Sequence, residues 1–344
     1  MTDFVAQRAA LADVVAIPVT PFDAADRIDT DAYRALVRRL LSAGVRALTP
    51  NGNTSEYYSL TPEERRTEVA LTVETVAEAG ADAQILAGVG QEVPAAVAAA
   101  KEAARAGAHM VMVHQPVHPY VSQEGWLAYH RAVAEAVPDL GVVPYLRNPA
   151  IEGATLAALG ELCPNVIGVK YAVPDPVRFA AVSRDAGLDR FVWVAGLAEL
   201  AAPAYFASGA TGFTSGLVNV APRLSLAMLR ALRAADYPAA MEIWAEIRPF
   251  EELRAERQSA NNVTVVKEAL AQLGLCRREP RPPSSPLPEA ERAAVAALVE
   301  RWRVAGSTAV TAGDKPASSG ADSGTAPARE PERPAHQTAK EGER

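Results

Sequence analysis

The sequence predicts an α/β protein, a closed (β/α)8 TIM barrel with a C-terminal helical appendage. Three observations lead there. Eight short apolar runs recur between residues 14 and 215, each followed by a segment with helical periodicity. The runs are continuous rather than alternating, as strands buried on both faces of a parallel sheet must be. Eight such units in about 220 residues suit a closed barrel better than an open sheet. An open dinucleotide-binding sheet would also place a glycine-rich phosphate turn after its first strand, where this chain has Pro18-Val19-Thr20-Pro21-Phe22.

The predicted strands are VVAIPV (14–19), VRALTP (45–50), QILAGV (84–89), AHMVMV (108–113), LGVVPY (140–145), NVIGVK (165–170), FVWVA (191–195) and ATGFTS (210–215). The helix after the second strand is the best marked, because Thr61-Pro62-Glu63-Glu64 supplies an N-cap, a proline in the first turn and a capping-box acid. Helices over about 223–256, 261–273 and 288–304 make up the appendage. The chain therefore divides into a barrel (1–222), a helical region (223–305) and a tail (306–344). The tail has no aromatic residue and no Leu or Ile, so it cannot bury enough apolar surface to offset its ordering entropy and is expected to be disordered.

Composition excludes several classes of function. The 344 residues are 49% hydrophobic, enough for a sizeable core, and the net charge of −7 with no basic tract argues against nucleic acid as a partner. The first residues lack a basic segment ahead of an apolar stretch and do not read as a signal peptide. The most membrane-like window, 191–213, is interrupted by Pro203 and several glycines and reads as a buried strand–helix–strand. A soluble cytoplasmic protein is expected. Cys163 and Cys276 cannot form a disulfide framework or a four-thiolate zinc site. His109, His114 and His118 do not make a metal site, because Pro116 and Pro119 prevent a helix that would align His114 with His118 and no carboxylate follows at ligand spacing, so no metal is expected.

In such barrels the chemistry lies at the C-terminal ends of the strands. After strand 2, Asn51-Gly52-Asn53-Thr54-Ser55-Glu56 is either an anion-holding turn rich in N–H and side-chain donors or an ordinary βα loop. Strand 5 ends at Tyr145, followed by Arg147. The tyrosine can shuttle a proton or pack at the rim, and the arginine can hold a carboxylate. Strand 6 ends at Lys170. The 34 basic residues comprise 29 arginines and five lysines, so a lysine at a strand end suggests chemistry that needs an amine. Desolvation there lowers its pKa toward the neutral nucleophile that condenses with a ketone. The other four lysines look bland, with Lys101 and Lys267 inside helical segments and Lys315 and Lys340 in the tail. Gly196 after strand 7, and Thr214-Ser215-Gly216 with Asn219 after strand 8, leave room for a ligand or serve close backbone packing.

Taken together, Thr20-Pro21-Phe22, Gly52-Asn53-Thr54-Ser55-Glu56, Leu60-Thr61-Pro62-Glu63-Glu64-Arg65, Gln123-Glu124-Gly125, Tyr145, Gly168-Val169-Lys170, Gly196 and Asn219 resemble the dihydrodipicolinate synthase/N-acetylneuraminate lyase family over residues 14 to 304. The resemblance implies a class I lyase that forms a lysine Schiff base with a 2-oxo acid, needs no cofactor and is usually a homotetramer. It assigns Lys170 as the Schiff-base lysine, Tyr145 as the catalytic tyrosine, and Asn53 and Thr54 as the pair holding the substrate's 1-carboxylate. Asn53 stands where that family has Thr or Ser, and Ser55 where Gly is usual.

Departures choose among subfamilies. Pro116-Val117-His118 replaces the Pro-Tyr-Tyr of dihydrodipicolinate synthases, and Ala150-Ile151-Glu152-Gly153 lacks their arginine. By contrast, Tyr145-Leu146-Arg147-Asn148, Thr214-Ser215-Gly216-Leu217-Val218-Asn219 and Pro249-Phe250-Glu251-Glu252-Leu253-Arg254 resemble segments of 5-dehydro-4-deoxyglucarate dehydratases. The leading expectation is dehydration of a deoxy-keto sugar acid, with Arg147 on its distal carboxylate and Gly196 and Ser215 among the substrate-binding residues. A pyruvate-dependent aldolase or a synthase-type condensation is the alternative among enzymes. A catalytically silent 2-oxo-acid sensor is the alternative of another class, disfavoured because Lys170 and Tyr145 are both retained.

Overall fold

A computed structural model describes residues 3–309, and the expectations for 310–344 lie outside the described residues. Eight parallel strands close into a barrel in chain order: β1 (Val14–Ala16), β2 (Ala47–Leu48), β3 (Gln84–Val89), β4 (Met110–Val113), β5 (Gly141–Leu146), β6 (Gly168–Tyr171), β7 (Val192–Ala195) and β8 (Gly212–Ser215), which pairs back to β1. The apolar runs are continuous because both faces are buried. Val15, Ala47, Leu86, Met110, Met112, Val143, Ile167 and Val194 fill the barrel interior. Val14, Leu48, Ile85, Val111, Val142, Val169, Trp193 and Phe213 face the surrounding helices.

Seven helices run between the strands: α2 (Thr30–Ser42), α3 (Pro62–Glu78), α4 (Val93–Ala106), α5 (Gln123–Ala136), α6 (Gly153–Leu162), α7 (Pro176–Asp185) and α8 (Ala198–Ala207). The signal before α3 works as expected. The Thr61 side chain accepts from the Glu64 N–H, and the Glu64 carboxylate accepts from the Thr61 N–H.

Three features differ from expectation. A first helix, α1 (Val5–Leu11), precedes the barrel; it is too short to show helical periodicity in the sequence. It closes the N-terminal end, burying Ala10 and Leu11 against the barrel interior while Arg8 donates to the carbonyls of Ile167 and Arg190. The helix expected over 223–256 is two, α9 (Pro222–Arg233) and α10 (Tyr237–Ser259), separated at Ala235, where φ is +54°. They are followed by α11 (Asn262–Gln272) and α12 (Glu289–Val304). Finally, the packed chain extends past the expected start of the tail. Ser307 and Thr308 are buried, and Arg39 donates to the Thr308 carbonyl. Among the described residues, no helix is long and apolar enough to cross a membrane.

Candidate active site

Tyr145 and Lys170 are register partners on β5 and β6. Side chains alternate along a strand, so two inward-facing partners stand side by side in the barrel mouth. The Lys170 Nζ lies 4.1 Å from the centroid of the Tyr145 ring. Gly196 makes this possible. A Cβ there would sit 2.8 Å from the Ala172 Cβ and 3.0 Å from the Lys170 Cγ, so the lysine stem passes only because residue 196 has no side chain.

Burial is the main force on both groups. It lowers the Lys170 amine to about 7, helped by the positive charges of Arg147 and Arg254. A large fraction of the amine is therefore unprotonated near neutrality. Burial raises the Tyr145 phenol, against smaller opposing effects from Arg147 and from Asn53. Tyr145 thus remains a phenol and a proton donor. The Asn53 side-chain N–H donates to its oxygen at 3.3 Å.

The loop after β2 is braced from three sides. Ser55 donates to the Pro18 carbonyl at 2.5 Å and accepts from the Gly52 N–H, tying the loop to the one after β1. This is the use of the hydroxyl that stands where the family usually has glycine. The neutral His114 ring, held at about 3 by burial, donates to the Asn51 carbonyl at 2.8 Å and stacks on Tyr57 at 4.0 Å. Glu56 is in an ion pair with Lys267 from α11 and accepts from the Arg281 N–H at 2.7 Å. The Lys267 side chain is 0% exposed, which corrects its reading as a bland helix lysine.

One cavity of about 850 Å³ collects Asn53, Thr54, Tyr145, Arg147, Lys170 and Gly196. Six of the seven residues expected to form the site therefore share one space. Ser215 does not line it. Its hydroxyl points away, donating to Glu199 at 2.5 Å and accepting from the Val218 N–H at 2.9 Å. Alternation on β8 explains the correction, since an inward Thr214 requires an outward Ser215. Thr214 and Gly216 line the cavity instead.

Residues from outside the barrel were missed. Glu251 and Arg254 of α10, and Asn262 at the start of α11, also line the cavity. The motif Pro249-Phe250-Glu251-Glu252-Leu253-Arg254 contains a Glu and an Arg one helical turn apart, which is the only trace of their pairing in the sequence. Among the described residues, no group of three His, Cys, Asp or Glu side chains could hold a metal ion.

Comparisons with known proteins bear on the family and the fold. The model of the dihydrodipicolinate synthetase family matches residues 10–302. A protein of Rhizobium rhizogenes named "Probable 5-dehydro-4-deoxyglucarate dehydratase" is 34% identical over 296 residues, covering 85% of this chain and 96% of that protein. A 4-hydroxy-tetrahydrodipicolinate synthase of Phenylobacterium zucineum is 35% identical over 287 residues, covering 82% of this chain and 94% of that protein. The crystal structure of dihydrodipicolinate synthase from Bacillus clausii superposes with a TM-score of 0.82 at 39% identity, covering 86% of this chain and 99% of that one. With the match running from residue 10 to residue 302, across all eight strands and most of the helical region, the chain belongs to the dihydrodipicolinate synthetase family and is a lyase built on that family's barrel.

Proposed function

We propose that this lyase dehydrates and decarboxylates a deoxy-keto sugar diacid, such as 5-dehydro-4-deoxyglucarate, through a Schiff base on Lys170. The observation that carries the reading is a desolvated amine beside a buried phenol, in a cavity large enough for a six-carbon acid and walled by arginines. The dehydratase names among its relatives support the same choice.

With the carbons counted from the keto-acid end, so that the ketone is C2, the deoxy carbon C3 and the far carboxylate C6, the neutral Lys170 amine attacks the C2 ketone, and water leaves to give the imine. Asn53 and Thr54 hold the adjacent 1-carboxylate. The protonated imine acidifies the C3–H, whose proton passes to the substrate's own 1-carboxylate, while Tyr145, its hydroxyl hydrogen left free because Asn53 donates to its oxygen, gives its proton to the departing C4 hydroxyl and regains one from that carboxylate. The C4 hydroxyl departs as water, leaving a C3–C4 double bond conjugated with the imine. That extended system accepts the electron pair of the C5–C6 bond as CO₂ leaves. Protonation, ketonisation at C5 and hydrolysis of the imine release 2,5-dioxopentanoate and free lysine. Overall, one diacid gives one dioxo acid, one water and one CO₂, and no redox partner is needed. Arg147, exposed at the cavity mouth, draws the anionic substrate in.

The test supplies 5-dehydro-4-deoxyglucarate and measures CO₂ and 2,5-dioxopentanoate. If neither forms while pyruvate condenses readily with an aldehyde, the aldolase or synthase reading replaces this one. The usual assembly of the family extends the proposal to a cytoplasmic homotetramer. Tyr58, Val117 and Tyr120, exposed on the loops after β2 and β4, supply apolar surface for contact between subunits.

A further inference from the structure

Two arginines line the cavity around Lys170, and they are differently built. Arg147 rises from the loop after β5 and is exposed. Arg254 arrives from α10, outside the barrel, and is 5% exposed. Its Nη1 donates to both carboxylate oxygens of Glu251, at 2.7 and 2.9 Å. Its Nε donates to the Asn262 carbonyl at 3.2 Å, and Nη2 donates to the Asn262 Oδ1 at 2.7 Å. A guanidinium carries five N–H bonds, and because the two oxygens of one carboxylate share a single Nη1 hydrogen, these contacts use three. One N–H on Nη1 and one on Nη2 meet no protein acceptor among the described residues.

The surroundings hold the open Nη2 N–H at the cavity wall. A Cβ at Gly216 would lie 2.5 Å from the Arg254 Nη2 and 2.9 Å from its Cζ, so the guanidinium rests against the end of β8 only because residue 216 is glycine. Beyond Ala255 the helical path of α10 breaks. Arg257, Gln258 and Ser259 follow in succession with φ of +53°, +57° and +68°. Three adjacent non-glycine residues in the left-handed region are strained, and such strain persists where the surrounding structure imposes it. Here the turn brings Asn262 back onto Arg254 and sets Gln258 and Ser259 on the cavity wall.

We propose that Arg254 is the specificity-determining residue that seats the far carboxylate of a dicarboxylic 2-oxo acid, with Glu251 and Asn262 as the positioning residues that aim it. The proposal rests on the Schiff-base reading, because it places the far end of a substrate whose near end is on Lys170. An exposed arginine must be ordered and stripped of water when it binds, whereas Arg254 is already ordered and dry. A buried donor left without an acceptor is costly, and a ligand oxygen removes that cost. The Arg254–Glu251 pair is neutral in sum, so it offers a directed hydrogen bond without the full pull of an isolated cation. That suits a carboxylate which must later leave as CO₂.

The experiment uses the full-length protein and two probes of equal length, 2-oxoadipate and 2-oxohexanoate, which differ only in a terminal carboxylate against a methyl. Calorimetric Kd values need no imine chemistry, and borohydride trapping at Lys170 is read alongside. Wild type should prefer the diacid by about tenfold or more, the effect of one charged hydrogen bond. Arg254→Gln should reduce that preference to within about twofold, with 2-oxohexanoate binding and trapping held within threefold. Because Arg254→Gln leaves Glu251 unpaired, Glu251→Gln/Arg254→Gln is measured beside it and should give the same loss in a folded protein. Absence of a diacid preference in wild type, or its survival in either folded variant, overturns the proposal. So does an equal loss for both probes, which would mean that Arg254 acts through Lys170. If the preference behaves as stated but wild type releases no CO₂ from 5-dehydro-4-deoxyglucarate, the dehydratase reading falls while the role of Arg254 stands.

Discussion

The role proposed for Lys170 depends on where one strand ends. At the surface its amine would stay protonated at neutral pH, whereas burial with two nearby guanidinium groups brings it to about 7. In the proposed reaction the neutral form is the nucleophile, so activity lost to protonation should return as pH rises. We expect kcat/KM to climb with a single acid limb near pH 7, measured on the free enzyme. A limb displaced to pH 9 or above would mean that the amine is not desolvated in solution. Lys170→Arg keeps the charge but lacks a nucleophilic amine, so turnover should fall by at least about a thousandfold, with no borohydride adduct forming. An adduct mapped to Lys101 or Lys267 would remove Lys170 from its role.

Individual loops take their shape from elements far away in sequence. The loop carrying Asn53 and Thr54 ends in Glu56, which has φ of +59° and reaches into the helical region to meet Lys267 of α11. Both side chains are buried, so neither charge has water to fall back on. Removing one partner of such a pair strands the other. We expect Lys267→Met to cost about 3–5 kcal/mol in denaturant unfolding and to lower kcat by loosening the loop that carries Asn53 and Thr54. Lys267→Met/Glu56→Gln should recover part of the stability, since no buried charge then remains unpaired. A single variant within 1 kcal/mol of wild type, roughly the value of an exposed pair, would show that water reaches the site.

Across the whole molecule, the helical region completes the barrel. Helix α10 supplies one wall of the cavity, α11 braces a loop at the barrel mouth, and the chain after α12 is held through Thr308. This sets where the chain can be shortened. Truncation after Ala309 should leave melting temperature and turnover unchanged, because the composition of 310–344 cannot support a core. Truncation after Gly306 removes the buried Ser307 and Thr308 and should lower the melting temperature by a few degrees. Equal melting of the two truncated chains would show that those contacts carry no stability.

The barrel was legible in the sequence because its determinants are local. Continuous apolar runs mark strands buried on both faces, capping signals mark helix starts, and right-handed βα connections leave little freedom in joining them. The position of Lys170, Tyr145 and Gly196 at the barrel mouth was legible for the same reason, since the C-terminal ends of the apolar runs lie there wherever the strands sit in the barrel. The inward or outward sense of Ser215 was not, because it depends on the register of β8 against β1, and a shift of one residue exchanges the two faces. Lys267 and Arg254 were less visible still. Helical periodicity shows that a residue has a buried face, but not what that face meets. Whether Lys267 packs against Glu56, or Arg254 against Gly216, is decided by helices docking across more than thirty residues of chain or more than two hundred. Only the closed tertiary structure brings those charges out of water, because burying them needs partners that lie far away in the chain.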